Sequence, residues 1–271
     1  MLTRYLPTLQ CRRCERYELS KGKNATQSTI QACFSDCGPD KAIDGDVNTC
    51  MMTREIGSIS AYRYKTVWWM IDLGDIHSIY SISIIFKDFK DSGDYEMRQR
   101  GRFAGFSLFI SNSSSREDGL LCYKNTLPLP PLEFNTTCIG YGRYVIYYNE
   151  RLDGVTYPEG YQILNVYTNL CEVKVQGCSK TGVYGENCSL PCPANCQDKR
   201  CNIVNGTCLG CLPGYMGEMC QEECSFGWHG KECTRQCMGH CRGNITCNHV
   251  TGNCHEGCAA GWMGNQCDER T

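Results

Sequence analysis

Cysteine and histidine are the residue types in this sequence whose number and spacing could carry chemistry. The chain has 271 residues, including 24 cysteines and five histidines. Cys11 and Cys14 form a CRRC motif with the spacing of a redox dithiol, but a thioredoxin-like site needs a βαβ setting that is missing here. Four histidines lie among the C-terminal cysteines: His229, His240, His249 and His255. Such a mixture could bind zinc only if the cysteines were thiolates.

The oxidation state of the cysteines decides between these possibilities. A count of 24 in 271 residues is far above ordinary usage and persists where thiols are oxidised, so we expect disulfides and an extracellular location. Six Asn-x-Ser/Thr sequons agree with this compartment: Asn24, Asn112, Asn135, Asn187, Asn205 and Asn244. No Ser/His/Asp, Cys/His or paired-carboxylate arrangement stands out, so we expect a glycoprotein that is not an enzyme.

Charge and hydropathy limit the partners of the chain. The net charge is −2 with both signs spread along the sequence, which argues against nucleic acid or an anionic membrane as the main partner. No apolar run of roughly 18 residues occurs, so we expect no membrane span within this chain. The N-terminus lacks the apolar core of a signal peptide. Disulfides without a signal peptide are a contradiction, so we predict that the sequence is a fragment or has a mis-predicted first exon. It would come from a secreted protein or from the ectodomain of a truncated membrane receptor.

Cysteine density divides the chain near residues 177 and 178. Residues 1–177 hold eight cysteines, and residues 178–271 hold sixteen. The sixteen form two units whose eight cysteine positions correspond at displacements of 45 to 47 residues. The segment GYMGEMC near the end of the first unit corresponds to GWMGNQC near the end of the second, so the region is a tandem repeat. In each unit an aromatic-x-Gly turn should need a positive φ, at Gly217 and at Gly264.

These repeats resemble eight-cysteine EGF-like modules of the multiple-EGF-domain, scavenger-receptor-like family. The resemblance covers residues 178–271 and implies short hairpins held by crosslinks, since units this small have too few apolar residues for a core. For residues 178–223 it implies the pairs Cys178–Cys188, Cys192–Cys201, Cys196–Cys208 and Cys211–Cys220. For residues 224–271 it implies Cys224–Cys233, Cys237–Cys247, Cys241–Cys254 and Cys258–Cys267.

The first part of the chain has the pattern of an all-β domain. Five segments rich in β-branched and aromatic residues predict strands: 65–74, 78–87, 102–112, 142–150 and 165–178. Turn-rich segments separate them and no long helical period appears. Several strands without intervening helices favour an antiparallel sandwich or barrel.

Landmarks in this part resemble the F-type lectin (fucolectin) family, a galactose-binding-like group. They are KGKNATQST, DKAIDGDVNTC, WWMIDLG, RFAGF and LCEVKVQGC, in that order. The resemblance covers residues 15–177 and implies an eight-stranded jelly-roll β-sandwich; residues 1–14 are unassigned. It implies the disulfides Cys50–Cys171 and Cys122–Cys138. We also expect Cys33 and Cys37 to pair locally, whereas the partners of Cys11 and Cys14 stay open.

The same resemblance implies a structural calcium ion. The family holds it with side chains at the positions of Asp44 and Glu172, and with backbone carbonyls at the positions of Lys41, Asp46 and Thr49. A hard cation needs six to eight oxygen ligands, and a tight turn with successive carbonyls can supply several of them. In the alternative reading, Asp44 only closes an Asx-turn and Glu172 is a solvated strand residue.

The family's fucose site is degenerate in this sequence. Met52 stands at the position of its histidine, and Ser92-Gly93-Asp94 replaces an Arg-Gly-Asp stretch. Of the family's arginines only Arg102 is in place, before a Phe-x-Gly landmark. Arg98 and Arg100 could substitute, although a solvated basic loop is the favoured alternative.

Trp68 and Trp69 could stack on a sugar, but neighbouring strand residues point to opposite faces, so we interpret the pair as packing residues, with at most one in the core. The leading functional hypothesis is a scavenger-receptor-like recognition protein, with a lectin-like head on an EGF-like stalk and an extracellular protein or glycan as ligand. The alternatives are an adhesive or matrix component and a calcium-dependent fucose-binding lectin of innate defence.

Overall fold

The computed structural model describes residues 17–31, 36–57, 65–90, 94–126, 128–164 and 166–271. Cys11, Cys14 and Cys33 lie outside these residues, so the Cys33–Cys37 pair stays a prediction and the partners of Cys11 and Cys14 stay open. Cys37 is disulfide-bonded. Ser92 and Gly93 of the degenerate sugar loop also lie outside the described residues.

An eight-stranded antiparallel sheet forms the N-terminal part of the chain. Its strands are β1 Tyr17–Glu18, β2 Asn24–Gln27, β3 Met51–Met52, β4 Thr66–Phe86, β5 Ser107–Ser111, β6 Leu120–Lys124, β7 Glu133–Glu150 and β8 Asn169–Cys178. The strand order is β1-β8-β4-β7-β5-β6, with β2 paired to β4 and β3 paired to β8. A 3₁₀ helix spans Pro39–Ala42, and helix α1 spans Asp94–Phe103.

Two bent strands turn this sheet into a two-layered sandwich. The register between β4 and β7 shifts between Asp72 and His77, where both strands bend. Before the bend, residues 66–72 of β4 pair with β2 on one side and with residues 144–150 of β7 on the other. This part of β7 also pairs with β5. After it, residues 78–86 pair with β8. We call the first set layer one and the second layer two. The predicted all-β jelly-roll sandwich, followed by a disulfide-rich region, is confirmed.

The core lies between the two layers. Trp69 and Ile71 from layer one, and Ile84 and Phe86 from layer two, belong to one cluster of buried residues. Because alternate residues of a strand point to the same face, the two halves of β4 cover the core from opposite sides. The Trp69 indole also donates a hydrogen bond of 2.9 Å to Pro39 O. Trp69 is therefore a packing residue, as expected.

Two disulfide-rich modules follow β8. Module 1 (residues 178–223) contains the hairpins β9 Val183–Tyr184 with β10 Leu190–Pro191, and β11 Tyr215–Met216 with β12 Glu222–Glu223. Module 2 (residues 224–271) contains β13 Trp228–His229 with β14 Arg235–Gln236, and β15 Trp262–Met263 with β16 Glu269–Arg270. Short 3₁₀ turns lie at Gln197–Lys199, Lys231–Cys233 and Arg242–Asn244.

The disulfides of the modules are the eight pairs that the resemblance implied. They fit EGF-like modules. Gly217 and Gly264 have φ values of 88° and 89°, so the predicted need for positive φ in the two turns is confirmed.

Hydrogen bonds join the sandwich to module 1 and module 1 to module 2. The Tyr141 hydroxyl donates to Cys201 O at 2.9 Å and accepts from Cys201 N at 3.1 Å. Between the modules, Gly214 N donates to Gly230 O, and Gly230 N donates to His249 O, both at 2.9 Å. The Tyr215 and His249 rings meet edge to face at 5.4 Å. These backbone contacts make the two modules a stalk with defined joints.

The strand predictions are wrong in two places. Segments 65–74 and 78–87 form the single strand β4. The strand expected from residue 102 begins at Ser107, because Arg102 and Phe103 form the last turn of α1. Phe103 stacks on Phe86 at a centroid distance of 4.5 Å, so the helix covers the open edge of the core. Core packing thus outweighs the strand-like composition of this segment.

Candidate functional site at the distal end

Strand β8 connects two opposite ends of the sandwich. Leu170 near its start lies beside Phe86 at the end of β4, and Cys178 at its end lies beside Ser78 near the bend. Module 1 begins at Cys178, so the stalk is attached at the bend. A strand of ten residues is roughly 30 Å long. We call the end where β8 begins the distal end, because it points away from the stalk.

The loop of residues 151–164 at the distal end is held by one buried arginine. Arg151 is 3 % exposed. Its guanidinium donates to Gln162 O at 2.6 Å, Ala104 O at 3.0 Å and Gly101 O at 3.2 Å, and to Asn149 Oδ1 at 2.9 Å. It therefore ties the loop to the end of α1 and to β7. Burial lowers the pKa of Arg151, against neighbouring tyrosines that raise it.

Close backbone contact explains a glycine at this junction. Gly101 O accepts a hydrogen bond of 3.0 Å from Gln162 N. A Cβ atom at Gly101 would lie 2.2 Å from Gly160 O. No side chain fits there, so the last turn of α1 can lie directly against the loop only with glycine at this position.

The anchored loop presents apolar side chains to solvent. Leu152, Val155 and Ile163 are 40 %, 49 % and 48 % exposed, respectively. With Tyr157 they line a shallow pocket of about 150 Å³. A single exposed apolar residue is ordinary, but a group on a fixed loop is typical of an interaction site. We call Leu152, Val155 and Ile163 the distal patch.

Neither the distal patch nor its anchor was predicted from the sequence. The available signal was the order of residue types in RLDGVTYPEGYQIL: glycine and proline mark a loop, yet large apolar residues stand between them. Nothing in the sequence indicates that Arg151 is buried, because its acceptors are mostly backbone carbonyls from distant segments.

The acidic turn of the predicted calcium site also lies at the distal end. The Cys50–Cys171 disulfide joins it to β8. Asp44 accepts hydrogen bonds from Asp46 N at 3.0 Å and from the Thr49 hydroxyl at 2.7 Å, so it does close an Asx-turn. Gly45 N donates to Glu172 Oε2 at 3.1 Å, which places the carboxyl group of Glu172 against the turn.

The burial of Glu172 distinguishes the two readings of this turn. Glu172 is 2 % exposed, so the alternative that it is a solvated strand residue is wrong. Burial raises the pKa of Glu172 above its usual 4.5; Lys174 opposes this rise, and Glu18 and Asp44 add to it. A buried carboxylate beside a second carboxylate is a donor set that suits a hard cation.

Two other residues of the predicted calcium site, Asp46 and Lys41, already make contacts within the turn. Asp46 O already accepts two hydrogen bonds, from Thr49 N and from the Thr49 hydroxyl, both at 3.0 Å. The Lys41 ammonium lies 3.7 Å from Asp44 Oδ2 and balances part of the negative charge. Asp44 and Glu172 are thus the side chains that would hold calcium, while Asp46 would have to exchange a hydrogen bond for the ion.

Calcium should raise the melting temperature of the sandwich, since an ion that binds only the folded state stabilises it. We expect Asp44→Asn and Glu172→Gln to abolish this increase, and Asp46→Asn on the same turn to retain it, because only its backbone is a predicted ligand. Differential scanning fluorimetry in EDTA and in millimolar calcium measures the effect. Equal increases in the wild type and in Glu172→Gln would contradict the assignment.

The pH dependence in EDTA gives an independent check of the buried carboxyl. A carboxyl whose pKa is raised by folding binds a proton more tightly in the folded state. Its contribution therefore makes stability fall as the pH rises from about 4.5 through the folded pKa. Glu172→Gln should remove this fall and should be at least as stable as the wild type at neutral pH without calcium.

The residues of the degenerate sugar site are engaged in structural contacts. Met52 lies in β3, where its carbonyl accepts a hydrogen bond of 2.9 Å from Gln27. The Arg102 guanidinium contacts the Tyr167 hydroxyl, lies 4.3 Å from the centre of that ring and donates to Gln99. Arg100 donates to two backbone carbonyls. The expected basic loop is a helix, because Arg98 and Arg100 lie on α1; Arg98 is exposed to solvent, as expected, and Arg100 is half-buried.

We expect no sub-millimolar binding of L-fucose at this position. Met52 offers no hydrogen-bond donor, and each lost bond to a sugar hydroxyl costs roughly 1–3 kcal/mol, so the missing histidine and arginine weaken binding about a thousandfold or more. Isothermal titration calorimetry on the whole chain is the measurement. Binding that disappears in Arg102→Ala would show that the family's sugar site is retained.

The described residues contain no group of three or more His, Cys, Asp or Glu side chains that could hold a metal ion. The sixteen cysteines of the modules are all in disulfides, so none of them is a thiolate ligand for zinc. Within the described part of the chain, no helix has the length and apolar character needed to cross a membrane.

No protein-family model matches the chain. Among curated proteins, the angiopoietin-1 receptor of Danio rerio is 34 % identical to it over 74 residues. These residues are 27 % of this chain and 6 % of the receptor, so the chain spans a small fraction of that relative's length.

Solved structures similar to the chain are sugar-binding modules. A fucolectin from Morone saxatilis serum has 22 % identity and a TM-score of 0.43, covering 60 % of this chain and 47 % of its own. A fucose-binding module of Streptococcus pneumoniae has 16 % identity and a TM-score of 0.42, covering 60 % and 96 %. A chitosan-binding module from Paenibacillus sp. IK-5 has 16 % identity and a TM-score of 0.43, covering 59 % and 99 %. Likenesses this weak identify no ligand.

Proposed function

We propose that this chain is an extracellular, non-catalytic recognition protein whose sandwich binds a protein ligand through the distal patch. The observation that carries the proposal is the place of that patch: exposed apolar side chains stand on a loop anchored by Arg151, at the end of the sandwich opposite the stalk. The two modules then act as a spacer that holds this end away from whatever carries the stalk.

The chemistry of the distal end favours a protein over a simple sugar. Leu152, Val155 and Ile163 offer apolar surface, and the charged group beside them, Asp153, is paired with Lys65 at 2.8 Å. Apolar contact area is what drives protein association, whereas a sugar needs directional donors and acceptors. Arg100 and Arg102 at the degenerate sugar position are held in structural contacts instead.

The disulfides and the sequons support an extracellular place of action. Within this proposal, ligand capture in the manner of a scavenger receptor is the finer function, and calcium has a structural role at the Asp44 turn. In the adhesive or matrix alternative the modules act as spacers as well.

The test compares two valines of equal exposure. Val155 in the distal patch is 49 % exposed, and Val204 in module 1 is 48 % exposed. The whole chain, displayed as an oligomer, is screened against an array of extracellular protein ectodomains and glycans. We expect binding to an ectodomain that is lost in Val155→Lys and kept in Val204→Lys.

Two results would contradict the proposal. Binding that is lost in Val204→Lys and kept in Val155→Lys would place the contact on module 1 and not on the distal patch. Binding to glycans alone, unaffected by Val155→Lys, would favour a lectin that uses another surface.

A further inference from the structure

The outer face of layer one is more apolar than its position predicts. A sandwich strand normally alternates between core residues and polar outer residues. Here Trp68 and Met70 of β4 point outward between the core residues Val67, Trp69 and Ile71. Across the sheet, Trp68 is paired with Tyr148 and Met70 with Ile146.

A loop folds over part of this face. Residues 112–119 connect β5 to β6, and the Arg116 guanidinium lies 3.9 Å from the centre of the Tyr148 ring. Beside this contact lies a pocket of about 190 Å³ lined by Trp68, Met70, Ser114, Arg116, Ile146 and Tyr148. We call it the outer-face pocket. Its floor is aromatic and aliphatic, and one wall offers a hydroxyl group and a guanidinium.

A glycosylation sequon forms part of that wall. Asn112, Ser113 and Ser114 are the sequon, Asn112 is exposed, and Ser114 lines the pocket. Two residues of chain reach at most about 7 Å, so the acceptor Asn112 lies at the rim. A second sequon flanks the same face, because Asn24 in β2 pairs with Asp72, and residues 68, 70 and 72 share one face of β4.

We propose that the N-linked glycan of Asn112 folds back into the outer-face pocket and covers Trp68. A pyranose ring has an apolar C–H face and a rim of hydroxyls, which match an indole floor with a guanidinium and a serine at the side. The occupant is thus a covalent part of this chain, delivered by a loop that already forms the pocket wall. The inference needs the secretory compartment but not the ligand of the distal patch.

The alternative occupants account for fewer of these observations. A free saccharide would use the same floor, but it would have to share the rim with any glycan on Asn112. A protein partner would face glycans on both sides, at Asn24 and Asn112. Coverage by the chain's own sugar explains why apolar residues and acceptor sequons occur together on one face.

The test uses the whole chain secreted from glycosylating cells. Peptide mass spectrometry first measures occupancy of Asn112. We then expect Asn112→Gln to lower the melting temperature of the sandwich by roughly 2–4 °C. Asn187→Gln, which removes an exposed sequon in module 1, is the matched control and should change nothing. Ser114→Ala also removes the Asn112 sequon and should behave like Asn112→Gln.

A double-mutant cycle connects the glycan to the indole. The difference in melting temperature between the wild type and Asn112→Gln should disappear in a Trp68→Ala background. It should also disappear after enzymatic removal of the glycans from both proteins, a comparison that avoids any folding defect of Trp68→Ala. An unmodified Asn112, or a difference that persists after deglycosylation, would overturn the proposal. So would stabilisation of the fully glycosylated wild type by added oligosaccharide, since that would show an open pocket.

Discussion

Replacing Arg151 with methionine is expected to lower the free energy of unfolding of the sandwich by about 3–5 kcal/mol. The guanidinium is buried and satisfies the carbonyls of Gly101, Ala104 and Gln162 together with the Asn149 amide. Methionine preserves much of the volume but leaves Ala104 O and Gln162 O without this donor in the protein interior. Gly101 O keeps its hydrogen bond from Gln162 N, and Asn149 Oδ1 keeps its bond from Glu150 N. Each unsatisfied buried acceptor costs roughly 1–3 kcal/mol, and partial entry of water keeps the total near the stated range.

A second arginine provides the control for this prediction. Arg143 makes two hydrogen bonds of 2.7 Å to Asp72, so its contacts are as short as those of Arg151. Its side chain is 42 % exposed, however, and exposed ion pairs add little to stability. Urea denaturation should therefore show a large loss of unfolding free energy for Arg151→Met and a small loss for Arg143→Met. Equal losses would mean that burial is not what makes Arg151 important.

The distal patch should respond to the same substitution. Without Arg151 the loop of residues 151–164 loses the guanidinium bonds to Gly101 O and Ala104 O and keeps the hydrogen bond from Gln162 N to Gly101 O. Limited proteolysis should therefore cut the loop earlier than in the wild type. Arg151→Lys keeps one charged donor but not the planar guanidinium that reaches several carbonyls. Its stability should therefore lie between those of the wild type and Arg151→Met.

The second large effect concerns the long disulfide of the sandwich. Removing it with Cys50→Ala and Cys171→Ala should cost about 4–5 kcal/mol, because the bond closes a loop with a sequence separation of 121 and restricts the unfolded chain. The matched control is Cys122→Ala with Cys138→Ala, whose loop has a separation of 16 and whose loss should cost about 3 kcal/mol.

The stabilisation by calcium should distinguish the two disulfide variants more clearly than their losses of unfolding free energy do. Cys50–Cys171 holds the Asp44 turn against Glu172, so its removal should also abolish the stabilisation by calcium. Removal of Cys122–Cys138 should leave that response intact. Chemical denaturation in EDTA and in calcium measures both effects. A calcium response that survives the loss of Cys50–Cys171 would show that the turn is positioned by other contacts.

Crosslinks and alternating strands were the most predictable parts of the fold. The family resemblances imply the partners of Cys50 and of the module cysteines, whereas cysteine spacing alone leaves many pairings open. The helix α1 could not be predicted, since Phe103 and Phe106 belong to one strand-like segment and only the shape of the core ends a helix at Phe103 and starts a strand after Phe106.

The candidate site was predictable only where residue type alone carries the information. Asp44 and Glu172 were indicated by landmarks, but the burial of Glu172 depends on strands far apart in the sequence. Arg151 and the distal patch were not indicated, because a basic residue followed by apolar residues in a loop has no fixed meaning. The outward direction of Trp68 follows from strand alternation, whereas the loop that makes it part of a pocket does not.

The position of β8 has a mechanical consequence. The chain runs from the distal patch through β8 directly into Cys178 and module 1. A pulling force between a ligand on the patch and an anchor beyond the stalk would therefore travel along this one strand. Because β8 is bonded to β4 on one side and to β1 and β3 on the other, its hydrogen bonds would be loaded in shear and would resist together.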